Sequence, residues 1–527
     1  MATFVETINI LRFEIIPRLS IRDQLHLCQT SKDLHTATVS VLYRDITITH
    51  DVEAPDSPPP EPKELRRLER IRAARRRRLP WGVGFLFAIL SRPALRSHVK
   101  SLRFRIENYV HDEHFRDTGK LKPLNFHPVE NEEARQIIID GIDELSFSEM
   151  EKLNGAFADR DFDLILSLII AACTEVQSLT IDLGYFLYSH KWLLELFKNS
   201  LSPQNKSNNL QNITYFEVAN PRGWLGYQQL PRGIHPLSFY LPNARTLSLE
   251  SFASHRKGEN SKLADTDPFW PLPSAPHAAF LTTLHLDHCS SNTHNLTAML
   301  AQTPNLKTLY YACYLPAFEC DFDVNELRRG LEHVRHSLTK LTLNLTIMER
   351  GLIDFSDREW PLTHGRIDDL GEFLSLTDLE IPLTFLHGHA APGHWQPLAD
   401  LLPPNLVSLT LKDELMKEYP TFKDLYTKRA IRDMMRTFLS YGSRSSTLSL
   451  RHVYFYRYPA IWDYEDLSKG PEKEYYNDWK PMDDDYGSRW NEGVVLQKGF
   501  RGFVSPAFAR FLKHDGLQKG KTKGPRF

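Results

Sequence analysis

The chain has 527 residues, too long for one compact core, so several domains or an elongated repeat are expected. Hydrophobic residues make up 41% of it, which can fill a core but is not membrane-like, and 64 basic residues nearly balance 66 acidic ones. That balance leaves no global field to draw the chain to nucleic acid or lipid. Cys28, Cys173, Cys289, Cys313 and Cys320 are few, odd in number and widely spread, which fits a reducing compartment. Glu6, Arg12 and Glu14 interrupt the apolar N-terminal residues and make a poor signal peptide. The longest apolar run, "LILSLIIAAC" from Leu164, is too short to span a bilayer. A cytoplasmic or nuclear protein with no membrane partner is expected.

The N-terminal stretch "LCQTSKDLHTATVSVLYRDITI", Leu27 to Ile48, begins as a short amphipathic helix and ends in an alternating, strand-like run. Leu25, Leu27, Leu34, Val41, Leu42 and Tyr43 form an apolar set, which Ile15, Ile16 and Leu19 can extend. Pro17 should end or kink any helix that reaches it. Residues 1–50 are therefore expected to be a small helical module. About fifty residues hold little core of their own, so leftover apolar side chains want a partner.

Residues 51–80 break this pattern. A proline-rich acidic stretch runs into eight arginines between Arg66 and Arg78. Such a segment cannot pack and is expected to be a disordered linker, with nuclear localisation or nucleic-acid backbone contact as sharper readings. No interleaved aromatics support sequence-specific nucleic-acid binding, so nucleic acid is not the expected partner.

From residue 81 to 455 one pattern recurs, apolar-x-x-apolar-x-apolar. It appears as "VKSLRF" at Val99, "VQSLTI" at Val176, "ITYFEV" at Ile213, "ARTLSL" at Ala244 and "LTTLHL" at Leu281. It continues as "LKTLYY" at Leu306, "LTKLTL" at Leu338, "LTDLEI" at Leu376, "LVSLTL" at Leu406 and "SSTLSL" at Ser445. The last four residues of each alternate, as a half-buried strand does. Before several of them, apolar residues fall at helical spacing: Leu86, Ile89 and Leu90; Leu296, Met299 and Leu300; Leu370, Phe373 and Leu374; Leu398, Leu401 and Leu402; Ile431, Met434, Met435 and Phe438. Helix leads to strand through a short link, again and again. Neither element can bury its apolar face alone, so stacking in parallel is predicted, with strands on a concave face and helices on a convex one. An ordinary parallel α/β domain is the plainer alternative.

The strand-to-helix links vary in length and should emerge at the strand C-terminal ends. Trp224, Trp270, Trp360 and Trp395 lie in such inserts and are candidate substrate contacts or caps over the core edge. The concave face should present the residues between the buried ones, among them Thr180, Glu217, Ser248, His285, Tyr310, Thr342, Glu380 and Thr410. His285, Tyr310 and Glu380 are the candidate substrate-binding residues of that face. Its mixed polarity suits a protein or peptide better than a polyanion.

Residues 456–514 are dense in aromatics and acids and read as a C-terminal cap; 515–527 should be a disordered tail. No Gly-rich phosphate loop, G-x-S-x-G elbow or H-E-x-x-H motif occurs, so no enzyme activity is expected. Cys313 and Cys320 lack a Cys-x-x-Cys partner, and His387, His389 and His394 share a loop without a completing ligand. No metal or cofactor is expected.

Ser20 to Ile48 resembles the second half of an F-box, in the fungal style. The likeness rests on Asp23 opening a helix, Leu25, Leu27, the Ser31-Lys32 pair, Leu34 and the closing "LYRDI" of Leu42 to Ile46. The opening Leu-Pro of that family is missing. The recurring segments resemble degenerate leucine-rich repeats. The resemblance implies an α/β chain with a small helical F-box-like module followed by an irregular leucine-rich-repeat solenoid. It implies a Skp-type adaptor as partner, through it a cullin–RING ubiquitin ligase, and a protein substrate held by the repeats. Ile15, Ile16, Leu19, Leu25, Leu27, Leu34, Leu42 and Tyr43 would supply the adaptor face, shared with the module's own core. A repeat scaffold with no ligase link, its N-terminal segment only a cap, is the other expectation.

Overall fold

The computed structural model describes residues 15–51, 81–107, 132–144, 155–157, 161–188, 191–201, 210–219, 234–250, 269–289, 293–316, 322–348, 363–412, 425–442, 446–456 and 503–504. The Arg66–Arg78 run, Trp224, Trp360, Cys320 and most of 456–527 lie outside them. The chain forms two compact units: Met1–Phe252 with Lys262–Leu281, and Ala253–Ser261 with Thr282–Phe527. Both are α/β, each with a parallel sheet and helices. Among the described residues no helix is long and apolar enough to cross a membrane.

Among the described residues the first unit opens with a 3-10 turn at Ile16–Arg18 that contains Pro17. Helix α1 (Ile21–Cys28) follows, capped by Ser20, whose hydroxyl accepts from Asp23 N at 3.2 Å. Helix α2 (Lys32–Leu42) is capped the same way by Ser31. The chain then passes directly into β1 (Asp45–Asp51), which pairs in parallel with β2 (Ser101–Glu107). The helical module is thus shorter than 1–50, and its last residues are the first strand of the sheet. The reason lies in "YRDITI": Tyr43, Ile46 and Ile48 obey the same apolar spacing as the later repeats, and Ile46 and Ile48 sit in register with Leu102 and Phe104.

Helices α3 (Trp81–Ser91), α4 (Glu132–Glu144) and α5 (Phe162–Ala172) follow. Every residue of α5 is buried, which accounts for the long apolar run without a membrane. Its Asp163 carboxylate accepts from Trp192 N at 2.6 Å and Leu193 N at 3.3 Å and so ties down the start of a later helix. Strand β3 (Ser178–Asp182) leads through α6 (Leu183–Tyr188) and α7 (Lys191–Leu201) to β4 (Tyr215–Ala219), then through α8 (Ile234–Ser238) to β5 (Thr246–Glu250). The strand order of this unit is β1-β2-β3-β4-β5, all parallel.

The second unit continues the scheme with β6 (Thr283–Cys289), α9 (Thr293–Leu300), β7 (Thr308–Pro316) and a short β8 (Phe322–Asp323). Asp323 caps α10 (Val324–Glu332), accepting from Asn325 N and Glu326 N. Then come β9 (Lys340–Met348), β10 (Thr363–His364), β11 (Asp378–Pro382), α11 (Leu383–His387), α12 (Leu398–Leu401) and β12 (Ser408–Lys412). Helix α13 (Lys428–Thr437), β13 (His452–Tyr456) and β14 (Phe503–Val504) complete it. The sheet order is β6-β7-β9-β11-β12-β13-β14, all parallel, while β8 and β10 pair separately. Residues 503–504, within the region read as a cap, thus lie along β13.

Most strands of the repeat are entered the same way. A turn places a backbone N–H of the first apolar residue on a carbonyl three residues back, as in Leu306 N to Thr303 O at 3.1 Å and Leu406 N to Pro403 O at 3.3 Å. The next residue's carbonyl then accepts two N–H groups of the following repeat. Thr339 O, for example, takes Thr377 N at 2.9 Å and Asp378 N at 3.1 Å. An amide ladder supports these turns: Asn212 donates to Thr174 O, Asn243 to Gln211 O and Asn405 to Leu374 O. The residue before the first apolar position carries that signal, as in "PPNL" at Pro403. The side chains at the alternating positions, such as Leu341, Leu343, Leu409 and Leu411, are fully buried.

The tenth segment departs from its predicted frame. "SSTLSL" is not the strand; Leu448 is 81% exposed and Thr447–Leu450 form the entering turn. The working frame is Leu450-x-x-Val453-x-Phe455, with Val453 in register with Leu409. Leu374 also leaves the expected helical stripe. Only a 3-10 turn, Leu370–Glu372, forms there, and Leu374 is 62% exposed.

Candidate functional site

Alternation gives most strands one face packed against helices and one more open face, although on β3 Thr180 and Asp182 of that face are buried too. On β2 the buried Leu102, Phe104 and Ile106 alternate with the exposed Arg103 and Arg105. This open face is the candidate interaction surface in each unit.

In the first unit the face is polar and charged on both sides of zero. Thr180 Oγ1 donates to Glu217 Oε2 at 3.0 Å across β3 and β4. Tyr215 stands beside Glu217; burial, and then that carboxylate, push its hydroxyl up to about 12. Asp182 is buried and accepts from Ile106 N at 3.3 Å and Gly184 N at 2.9 Å, so it serves the fold.

In the second unit the expected residues His285, Tyr310 and Glu380 belong to one connected row. The His285 and Tyr310 rings stack with centroids 4.0 Å apart, as register partners on β6 and β7. Asn344 Nδ2 donates to Tyr310 Oη at 3.2 Å. Lys412 Nζ donates to Asn344 Oδ1 and pairs with Glu380. Lys412 is only 7% exposed, so taking away its partners would leave a buried charge uncompensated. Sequence reasoning missed Lys412 and Asn344, because each lies two residues beyond the inspected position of its strand. At the end of β6, Asp287 lies 3.9 Å from His285 Nε2 and 3.3 Å from His288 Nδ1. Burial would raise its carboxyl, but the two histidines outweigh that and hold it well below the usual range.

Of the expected tryptophans, Trp270 and Trp395 are described, and both are held by neighbouring rings. Trp270 packs on Phe269, Phe239 and Tyr240 within the first unit. Trp395 is sandwiched between His387 and Tyr426, both at 5.0 Å, and donates Nε1–H to Ala390 O at 2.8 Å. Both tryptophans are half-buried. The three loop histidines do not converge on a metal: His387 is buried in that stack, His389 Nε2 faces Thr363 O at 3.0 Å and His394 is exposed.

The N-terminal residues separate into two groups. Ile16 is fully buried and so belongs to the module's own core, while Tyr43 is half-buried and stacks on Phe85 of α3 with ring centroids 6.3 Å apart. Gln24, itself buried, donates to Ile16 O and Leu19 O and fixes the turn against α1. Leu19, Leu27, Leu34 and Leu42 are half-buried. Among the described residues of this segment, Ile15, 45% exposed, and Leu25, 52% exposed, are the exposed large apolar side chains.

Comparison with protein-family models finds no match to this chain, and comparison with curated proteins finds none either.

Proposed function

We propose that this chain is a substrate receptor of a Skp–cullin–F-box ubiquitin ligase. An F-box-like module at its N-terminus docks a Skp-type adaptor, and an irregular leucine-rich-repeat solenoid holds a protein substrate. The observation that carries the docking half is the exposure of Ile15 and Leu25 on a module whose helices are properly capped. The repeated open strand face, with the His285–Tyr310–Asn344–Lys412–Glu380 row upon it, supports the receptor half. The chain itself performs no covalent chemistry. It raises the concentration of substrate at the ligase, in the cytoplasm or the nucleus.

A second reading is favoured by one observation. β1 continues straight from α2 and pairs with β2, so the N-terminal segment also covers the end of a sheet. A scaffold with no ligase link would need nothing more.

Co-purification with a Skp-type adaptor separates the two. The wild type should bind one to one, and an Ile15→Asp, Leu25→Asp double variant should lose binding while its melting temperature holds, because both side chains are already in water. A well-folded wild type that binds no adaptor overturns the ligase reading and leaves the scaffold.

A further inference from the structure

The first unit carries a pocket of about 380 Å³ on the open face of β2 to β5. Arg103 and Arg105 line it from β2, two residues apart and therefore on one face. Both are exposed, and neither is in an ion pair among the described residues. Thr180 is the register partner of Arg103 on β3, and Glu217 is the register partner of Thr180 on β4. The Thr180 hydroxyl holds the Glu217 carboxylate at 3.0 Å. Glu250, the last residue of β5, closes the acidic side. Asp182 also lines the pocket, but its carboxylate is engaged by two backbone N–H groups. The open surface is therefore split, with two guanidinium groups on one side and two carboxylates on the other. Two strand spacings, roughly 9.5 Å, separate β2 from β4.

We propose that this pocket holds an extended peptide segment of a partner protein that presents one acidic and one basic side chain about 9–10 Å apart. The acid meets Arg103 and Arg105; the base meets Glu217 and Glu250. A polyanion fits poorly, because the two carboxylates repel it at short range. A free amino acid fits poorly as well, since its ammonium and carboxylate sit on one carbon. A polyproline II segment fits well: with three residues per turn and a 3.1 Å rise, residues three apart share a side at roughly 9.3 Å. This names a substrate class for the receptor reading, and it rests on that reading only for calling the partner a substrate.

The test uses the full chain and fluorescein-labelled peptides read by anisotropy at low salt. The probes are GPEPPKPG and its reversal GPKPPEPG, with GPEPPEPG and GPKPPKPG as like-charged controls. A mixed-charge probe should bind at least about tenfold tighter than either control. Arg103→Glu with Arg105→Glu should transfer the preference to the doubly basic peptide, and Glu217→Lys should transfer it to the doubly acidic one. If the reversal variant fails to fold, Arg103→Gln with Arg105→Gln should erase the preference. Equal binding of all four peptides to the wild type overturns the proposal, as does a preference that survives the arginine changes in a folded protein. Adaptor co-purification on the same preparations keeps the two readings apart. Adaptor binding without peptide discrimination overturns the pocket alone; discrimination without adaptor binding overturns the ligase reading alone.

Discussion

His387 shows how much one buried side chain can set. It is 1% exposed, its ring stacks on Trp395 with an interplanar angle of 10°, and its Nε2 lies 3.3 Å from Met434 Sδ. Its Nδ1 has no hydrogen-bond partner. Burial, helped by the Arg366 charge, pulls its pKa from 6.5 down to about 4. The folded pKa lies below the unfolded one, so the neutral ring's contribution is fully present above pH 6.5 and fades as pH falls toward 4. A shift of this size corresponds to roughly 3 kcal/mol. The second unit should therefore lose stability between pH 6.5 and 4 in urea melts. His387→Phe keeps a ring in the stack and removes the titration, so its melts should show a clearly flatter pH slope; an unchanged slope would remove His387 as the cause. The neighbouring backbone tolerates little change. Gly388 has φ +56, and a Cβ there would meet Gly365 O at 3.0 Å. Within the histidine-rich loop His387 and Gly388 are buried while His389 and His394 are exposed, a difference that sequence does not display.

At the scale of elements, the repeat is legible because each strand must bury two residues spaced by one and each entering turn must bury a third. Leu406, Leu409 and Leu411 meet that demand, and so do Leu338, Leu341 and Leu343. The ends were harder to read. The strand-like run after the helix is visible in the sequence, but the spacing of Tyr43, Ile46 and Ile48 falls at the end of a helical module with no loop between, so its membership of the repeat is not. At the other end, "SSTLSL" satisfies the spacing by coincidence, and only cross-strand pairing of Val453 with Leu409 fixes the true frame. The two frames disagree about one residue. In the strand frame of "SSTLSL" both Leu448 and Leu450 would be buried; here Leu450 is 6% exposed and Leu448 is 81% exposed. Leu450→Ala should cost about 2–4 kcal/mol in denaturant unfolding, whereas Leu448→Ala should stay within about 0.5 kcal/mol. Equal costs would restore the earlier frame. The candidate site was legible to the same extent. Position along a strand was enough to select His285, Tyr310 and Glu380, but the link through Asn344 and Lys412 depends on which side chains reach across neighbouring strands, which spacing does not encode.

At the scale of the whole molecule, the N-terminal segment carries two separable demands. As the first strand, β1 supplies hydrogen bonds along the whole of β2, from Asp45–Ser101 to Asp51–Glu107. Without it, β2 would present an open row of backbone donors and acceptors, the kind of edge that invites aggregation. In the proposed docking role, the same segment would present Ile15 and Leu25, which are exposed. A chain that starts at residue 52 removes both functions together, so its loss of adaptor binding would say nothing about docking. Such a truncation should lower the stability of the first unit and raise its tendency to aggregate, measured by light scattering on heating. The Ile15→Asp, Leu25→Asp variant should leave scattering and melting unchanged, because neither side chain contributes to β1 or its pairing. If the truncation melts and scatters like the wild type, β1 is not needed as a cap. The module would then be retained for docking alone, and the scaffold reading would lose the one observation that favours it.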